Sequence, residues 1–428
     1  MSAGSAPGDE RTDIGTELTV LALNSGSSSL KFGLYRVASS RTEMLLSGEA
    51  ESIGERTGRF SAWNSGHDAL VSETTVIANP REAIVRIGKL LADSNVPPPS
   101  AIGHRVVHGG PKLREHCLID DSVLEELAAA DVFAPLHMAK GLSVIRLAQD
   151  LFPGLPQAAC FDTAFHAGLP DVARVLLIPK ALQSEGIQRY GFHDLSYESI
   201  VCQLAGDLPD RLVIAHLGNG ASVTAVKRGK SIDTSMGLTP TGGLIMGTRS
   251  GARPGCSRLS DAQEKFDADR VEELVDHRSG LLGISGVSRD MRQLHEAAAS
   301  NADARLAIAM FCYAVRKQVA GMLAALDGVD TIVFTLHRRH RRKRRGGSRR
   351  DLRGLVVDRC QPRRIPGPVG QQSHPRRPLA LCGSRARLAG RRADRPPHGG
   401  PGSAVDHRVR RLIQYTAMPN TTAPPVTA

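Results

Sequence analysis

The 428-residue chain is 41% hydrophobic and 23% charged, a globular composition with room for two or three domains that each bury a core. No uninterrupted apolar run reaches the roughly 18–20 residues a membrane span needs, and the first seventeen residues lack the apolar stretch of a secretory signal. The net charge of +12 is unevenly spread: residues 336–428 hold 22 Arg, one Lys, four Asp and no Glu, so the rest is mildly acidic. Seven cysteines stand at 117, 160, 202, 256, 312, 360 and 382 without a C-x-x-C pair. That pattern offers neither a disulfide framework nor a zinc site and fits a reducing cytoplasm.

Beyond a disordered lead over residues 1–17, apolar and β-branched runs predict strands at Leu18–Leu23 and Leu30–Val37, joined by N-S-G-S-S-S, Asn24–Ser29. Helical spacing predicts helices over Arg81–Ser94, Ser122–Ala130 and Ser143–Leu151, and Gly103–Gly110 reads as a strand. Near residue 212 the first plan recurs. An apolar run, Leu212–Ala215, leads into H-L-G-N-G-A-S at His216–Ser222 and then Val223–Val226. Asp303–Leu326 predicts a long core helix with Leu306, Met310, Val315, Val319 and Leu323 as its inward stripe. Two halves that each open with a strand, a small-residue turn and a strand suggest a duplicated α/β fold with a cleft between its lobes.

Backbone N–H groups and hydroxyls in such turns can converge on phosphate, and Lys31 follows the first turn closely enough to add a charge. The chain has no G-x-x-x-x-G-K-[ST] loop and no G-x-G-x-x-G after a strand, so the turn is not of the Walker type and the pattern speaks against dinucleotide binding. His104 and His108 share a face of the expected strand, but no third ligand stands nearby, and packing is the better reading.

Eight segments, in order, resemble the acetate kinase family. They are N-S-G-S-S-S-L-K (Asn24–Lys31), G-H-R-V-V-H-G-G (Gly103–Gly110), A-P-L-H (Ala134–His137), F-D-T-A-F-H (Phe161–His166), R-Y-G-F-H (Arg189–His193), H-L-G-N-G-A-S (His216–Ser222), the run Asp233–Gly251, and S-R-D-M-R (Ser288–Arg292). The resemblance implies an α/β, duplicated ribonuclease-H-like (actin- or hexokinase-like) fold, with a first lobe over 18–165, a nucleotide-binding lobe over 166–335 and an irregular Arg/Pro/Gly-rich tail over 336–428. It implies reversible phosphoryl transfer from ATP to acetate, or to propionate or butyrate as the nearest alternative, by a cytoplasmic homodimer using Mg²⁺. Carried over by motif, Arg105 and His137 meet the substrate. Asp162 is the catalytic acid near the metal, and His193 and Arg249 stabilise the moving phosphoryl group. Asn24 helps hold Mg²⁺. Lys31, His216, Leu217, Gly218, Asn219, Gly220, Asp290, Met291 and Arg292 hold the nucleotide.

Three departures from the family pattern stand out. Asp194–Leu195–Ser196–Tyr197 replaces the commoner G-T-S-H, Met138–Ala139 replaces Asn–Pro, and Ala252 stands where an acidic residue is usual. After Thr335 the family carries G-G-I-G-E-N, which holds adenosine; this chain reads L-H-R-R-H-R-R-K-R-R. Permitted codons for Arg338–Arg344, read one base later, spell G-G-I-G-E-N. The same offset over Arg350–Pro362 spells the family-like A-I-C-E-G-L-S-W-I-G-V-N. The tail is therefore expected to be the family's normal end in the wrong frame. The adenosine loop and a late acidic Mg²⁺ ligand are then lost, leaving activity impaired or the chain an inactive remnant. A nucleic-acid-binding tail is the rival reading; against it, Tyr415 is the tail's one aromatic residue and its arginines follow no helical or strand period.

Overall fold

The computed structural model describes residues 17–38, 42–251 and 267–336. The first sheet contains β1 (Leu18–Ser25), β2 (Leu30–Val37), β3 (Thr42–Glu51), β4 (Gly58–Asn64), β5 (Ala69–Thr75), β6 (Ala101–Val106), β7 (Cys117–Leu118) and β8 (Gln157–Phe161), in the order β5-β4-β3-β2-β1-β6-β8-β7. The second contains β9 (Arg211–Leu217), β10 (Ala221–Lys227), β11 (Lys230–Thr234) and β12 (Thr331–Leu336), in the order β11-β10-β9-β12. The repeated hairpin of the sequence is the nucleus of each sheet. Three antiparallel strands lead into a parallel neighbour, β6 beside β1 and β12 beside β9. β6 is flanked in turn by β8, whereas among the described residues β12 has β9 as its single neighbour.

The helices are α1 (Pro80–Asp93), α2 (Asp121–Ala129), α3 (Pro135–Leu151), α4 (Asp171–Arg174), α5 (Lys180–Ser184), α6 (Asp194–Gln203), α7 (Ala268–His277), α8 (Gly280–Ser285), α9 (Met291–Ala297) and α10 (Ala302–Ala325). α1 starts where it does because Asn79 accepts from the Glu82 N–H, Glu82 accepts from the Ala78 N–H, and Pro80 needs no donor at the first position. Ala83, Ile84, Ile87, Leu90 and Leu91 then cover one face of the first sheet, over Leu21, Leu23, Phe32, Leu34 and Leu46. α10 does the same for the second sheet, over Val213, Ala215, Val223 and Ala225.

Three expectations are corrected. The strand expected over Gly103–Gly110 ends at Val106. Its last bond is from the Asp162 N–H to the Val106 carbonyl, and the chain then turns at Gly109, where a Cβ would lie 1.9 Å from the Leu113 oxygen. The helix expected from Ser143 begins at Pro135, because proline suits a first helical position. The inward stripe of α10 is Ala304, Ala307, Phe311, Val315, Val319 and Met322; Leu306 and Met310 are 51% and 39% exposed. Val315 and Val319 face inward as expected and Leu323 packs against the same core, which α8 and α9 share with the sheet. This 24-residue helix is also apolar enough by composition to cross a membrane, which the search for an unbroken apolar run missed. The tail, Ala252 and the lead over 1–16 lie outside the described residues.

His104 and His108 are packing residues. His104 Nε2 lies 2.7 Å from Gln157 Oε1, and His108 stacks on Phe133 with Tyr190 at its edge. Burial holds both imidazoles down at a pKa of about 4, against 6.5. The unfolded chain therefore takes up these protons near pH 6.5 and the folded chain only near 4. Their contribution to stability is complete above pH 6.5 and is lost as pH falls toward 4, at about 1.4 kcal/mol per pH unit for each. Urea unfolding between pH 7 and 4.5 is expected to show this slope, and His108→Phe to make it shallower by about one proton. Equal slopes in the two proteins would contradict it.

Candidate active site

Strand alternation carries Val20, Ala22 and Asn24 to one face of β1, with Tyr35 and Val37 of β2 and Ala101 of β6 beside them. At the carboxyl ends of the parallel strands this face turns polar. Asn24 is in register with Arg105 on β6 and with Lys31 on β2, and Asp162 follows β8 directly. Arg105 donates from Nε to Asp162 Oδ2 at 2.7 Å and from Nη2 to the same oxygen. Its Nη1 donates to Asn24 Oδ1 at 3.0 Å. These bonds use three of the five guanidinium N–H donors and leave two for another acceptor. Asp162 is almost fully buried while Arg105 is 28% exposed, so the cation reaches toward solvent from a fixed root. A small pocket beside it is lined by Arg105, Val106, Val107, Leu127, Met138 and Leu142.

α6 lies between the two sheets. Leu195 packs with Ala158 and Cys160 of the first, and Tyr197 packs with Leu212, Ile214 and Val226 of the second. Its N-cap is His193, held at a φ of 68°, the left-handed region that a non-glycine residue seldom takes. The His193 ring stacks on His216 with centroids 4.3 Å apart. Nδ1 meets Ser222 Oγ at 2.8 Å. Nε2 lies 2.9 Å from where a Cβ on Gly220 would sit. Glycine at 220 therefore lets the imidazole lie over the H-L-G-N-G turn. Burial, then His216, Arg105 and Arg249 in that order, push the His193 pKa well below the usual value, so the ring is neutral at physiological pH. His216 Nδ1 is in turn 3.0 Å from Ser196 Oγ and 3.2 Å from Thr335 Oγ1 at the end of β12.

The segments carrying Arg249 and Asp290–Arg292 meet near this turn. The Gly247 N–H donates to the Asn219 carbonyl, and Gly247 also lies against Arg289. That contact joins the segment carrying Arg249 to the turn 216–220 and to Asp290, Met291 and Arg292. Arg249 carries a guanidinium whose pKa burial lowers and Asp276 partly restores. Asp290 caps α9 and pairs with Arg292 at 2.9 Å, so both side chains are engaged with each other. Met291 packs against the second core. Leu217 ends β9, and the Gly218 N–H bonds the Gly220 carbonyl across the turn. His137 stands in the first turn of α3, and its side chain lies outside the described residues. Ser222, Ser196, Tyr197 and Thr335, which support the two histidines, were not expected. The one signal for them was the D-L-S-Y departure.

Two lobes of one plan, with a helix wedged between them and cations, carboxylate and glycine turn gathered at the strand ends, define a phosphotransferase of the actin-like, ribonuclease-H-like class. A sequence profile of the acetokinase family matches residues 19–337. An acetate kinase of Brachyspira hyodysenteriae is 40% identical over 331 residues, 74% of this chain and 83% of that protein. One of Deinococcus radiodurans is 42% identical over 376 residues, 84% and 93%. Among solved structures, an acetate kinase of Porphyromonas gingivalis superposes with a TM-score of 0.67 at 34% identity, covering 74% of this chain and 82% of that one. A propionate kinase of Francisella tularensis gives 0.69 at 36%, covering 74% and 83%. The chain belongs to the acetokinase family.

Proposed function

We propose that the two-lobed body of this chain catalyses reversible transfer of the terminal phosphoryl group of ATP to acetate, giving acetyl phosphate and ADP. The observation that carries the reading is Arg105, tied to Asp162 and Asn24 with two donors to spare, on the strand face that meets α6 and the neutral His193. A carboxylic acid is ionised at neutral pH, so the acceptor needs no strong base. The obstacle is repulsion between two anions, roughly 4 kcal/mol for unit charges about 4 Å apart at an effective dielectric near 20. Arg105 orients the acetate carboxylate, and the apolar lining of the adjoining pocket suits a short alkyl group. Lys31 and the turn 216–220 hold the nucleotide phosphates. Arg249 and His193 stabilise charge on the transferring group.

Asp162 and Asn24 bring hard oxygen donors together, the set Mg²⁺ takes when nucleotide phosphates and water complete its shell. When bound, the ion would neutralise phosphate charge. The resemblance supports a cytoplasmic homodimer; equilibrium sedimentation of the full chain tests the dimer.

Trapping acetyl phosphate as its hydroxamate, with Mg-ATP and either acetate or propionate, tests the reaction and the preferred acid. Product is expected from the chain as it stands, weakly, and more abundantly from a version with the family-like frame restored after Thr335. Absence of product from both would defeat the reading.

A further inference from the structure

Three side chains stand in line behind the turn 216–220. Tyr197 Oη is hydrogen-bonded to Ser222 Oγ, and Ser222 Oγ to His193 Nδ1 at 2.8 Å. The far ring nitrogen of His193 faces Gly220. Tyr197 and Ser222 are both fully buried. Tyr197 occupies a position where the sequence departs from the commoner histidine, so this line is a feature of this chain.

Proton counting decides its direction. Tyr197 and Ser222 each carry one O–H, and neutral His193 carries one N–H. If Nδ1 held the proton, it would donate to Ser222, Ser222 would donate to Tyr197, and the phenol hydrogen would need an acceptor. Among the described residues the recorded partner of Tyr197 Oη is Ser222 and no other. The opposite direction leaves nothing stranded: the phenol donates to Ser222, Ser222 donates to Nδ1, and the ring proton sits on Nε2. A phenol is the better donor of the two hydroxyls, and buried donors in native proteins are almost always paired.

We propose that Tyr197 and Ser222 are positioning residues that lock His193 in its Nε2–H tautomer, so that a neutral N–H donor faces the phosphate turn. The inference rests on the phosphoryl-transfer reading for its purpose, but not for its test. Bulk cost at Gly220 fits the same picture, since any side chain there would displace the donating nitrogen.

Ring-nitrogen NMR on the full chain with isotope-labelled histidine reads the tautomer directly, the His193 signals being assigned by their loss in His193→Asn. The unsubstituted chain is expected to show a protonated Nε2 and an unprotonated, hydrogen-bonded Nδ1. Tyr197→Phe keeps the ring packing and frees Ser222, and is expected to populate both tautomers. Ser222→Ala is expected to do so more fully, and Tyr197→Phe decides alone if Ser222→Ala does not fold. A proton on Nδ1 in the unsubstituted chain, or unchanged populations in Tyr197→Phe, would overturn the proposal. In the hydroxamate assay Tyr197→Phe is expected to lower kcat about tenfold, part of what a positioned proton donor contributes, with KM for acetate little changed. An effect on KM alone would count against it. A parent chain without activity would defeat the reaction and leave the tautomer measurement standing.

Discussion

Arg105→Ala is expected to lower kcat/KM for acetate by about 10²–10³, the loss that follows from truncating one partner of a desolvated, hydrogen-bonded charge pair. KM for acetate should carry much of the change and KM for ATP little, because Arg105 stands on the first sheet while the turn 216–220 belongs to the second. Arg105→Lys should recover only a small part. An ammonium is a point charge and cannot bond Asp162 through two nitrogens while reaching Asn24 and an incoming carboxylate. Arg105→Ala should also weaken the fold, since Asp162 is buried and loses its cation; breaking such a pair costs roughly 3 kcal/mol. A double-mutant cycle with Asp162→Asn separates the effects. The losses of unfolding free energy in the two single variants should sum to clearly more than the loss in the double variant. Additive values would mean that the pair is not coupled, and the geometry proposed for the acceptor site would lose its basis.

Restoring the family-like frame after Thr335 is expected to raise kcat/KM for Mg-ATP by on the order of 10²-fold, about 2.7 kcal/mol of nucleotide contact. β12 ends beside His216, with Thr335 Oγ1 3.2 Å from its ring. Whatever follows residue 336 therefore leaves the strand next to the turn 216–220. The family profile likewise closes at residue 337, one residue past that strand, whereas the match to the Deinococcus radiodurans kinase, over 84% of the chain, runs beyond it. In the first sheet the strand corresponding to β12 is β6, and its outer neighbour β8 leads straight into Asp162. Among the described residues the second sheet has no strand in the place of β8. The restored segment would supply the adenosine loop and chain to cover that edge. Sequencing the gene across codons 330–345 tests the premise. A verified continuous frame, or ordinary turnover by the chain as it stands, would reject the account.

Much of this was written in the order of residues. The hairpins of both lobes were legible because strand alternation and small-residue turns are local signals: Leu30–Val37 is a strand with those bounds, and the run at Leu212–Ala215 extends by only a few residues at either end. α1 was legible for the same reason, its cap and apolar stripe being short-range features. The eight motifs named the family and most of the candidate site. The stripe of α10 was read only in part: Val315 and Val319 turn inward, but Leu306 and Met310 do not, because the helix is apolar on several faces and its neighbours decide which one is covered.

By itself, then, the sequence determined the duplicated α/β plan, the small-residue turns and the family, because all three depend on residue types at fixed short spacings. Only the tertiary structure decided that Asn24, Arg105 and Asp162 share hydrogen bonds across three strands, that α6 stands between the sheets, and that Tyr197 and Ser222 lie behind His193. Those contacts join residues far apart in the chain. Strand register and the packing of a helix against two sheets at once set them, and neither leaves a periodic trace in the order of the amino acids.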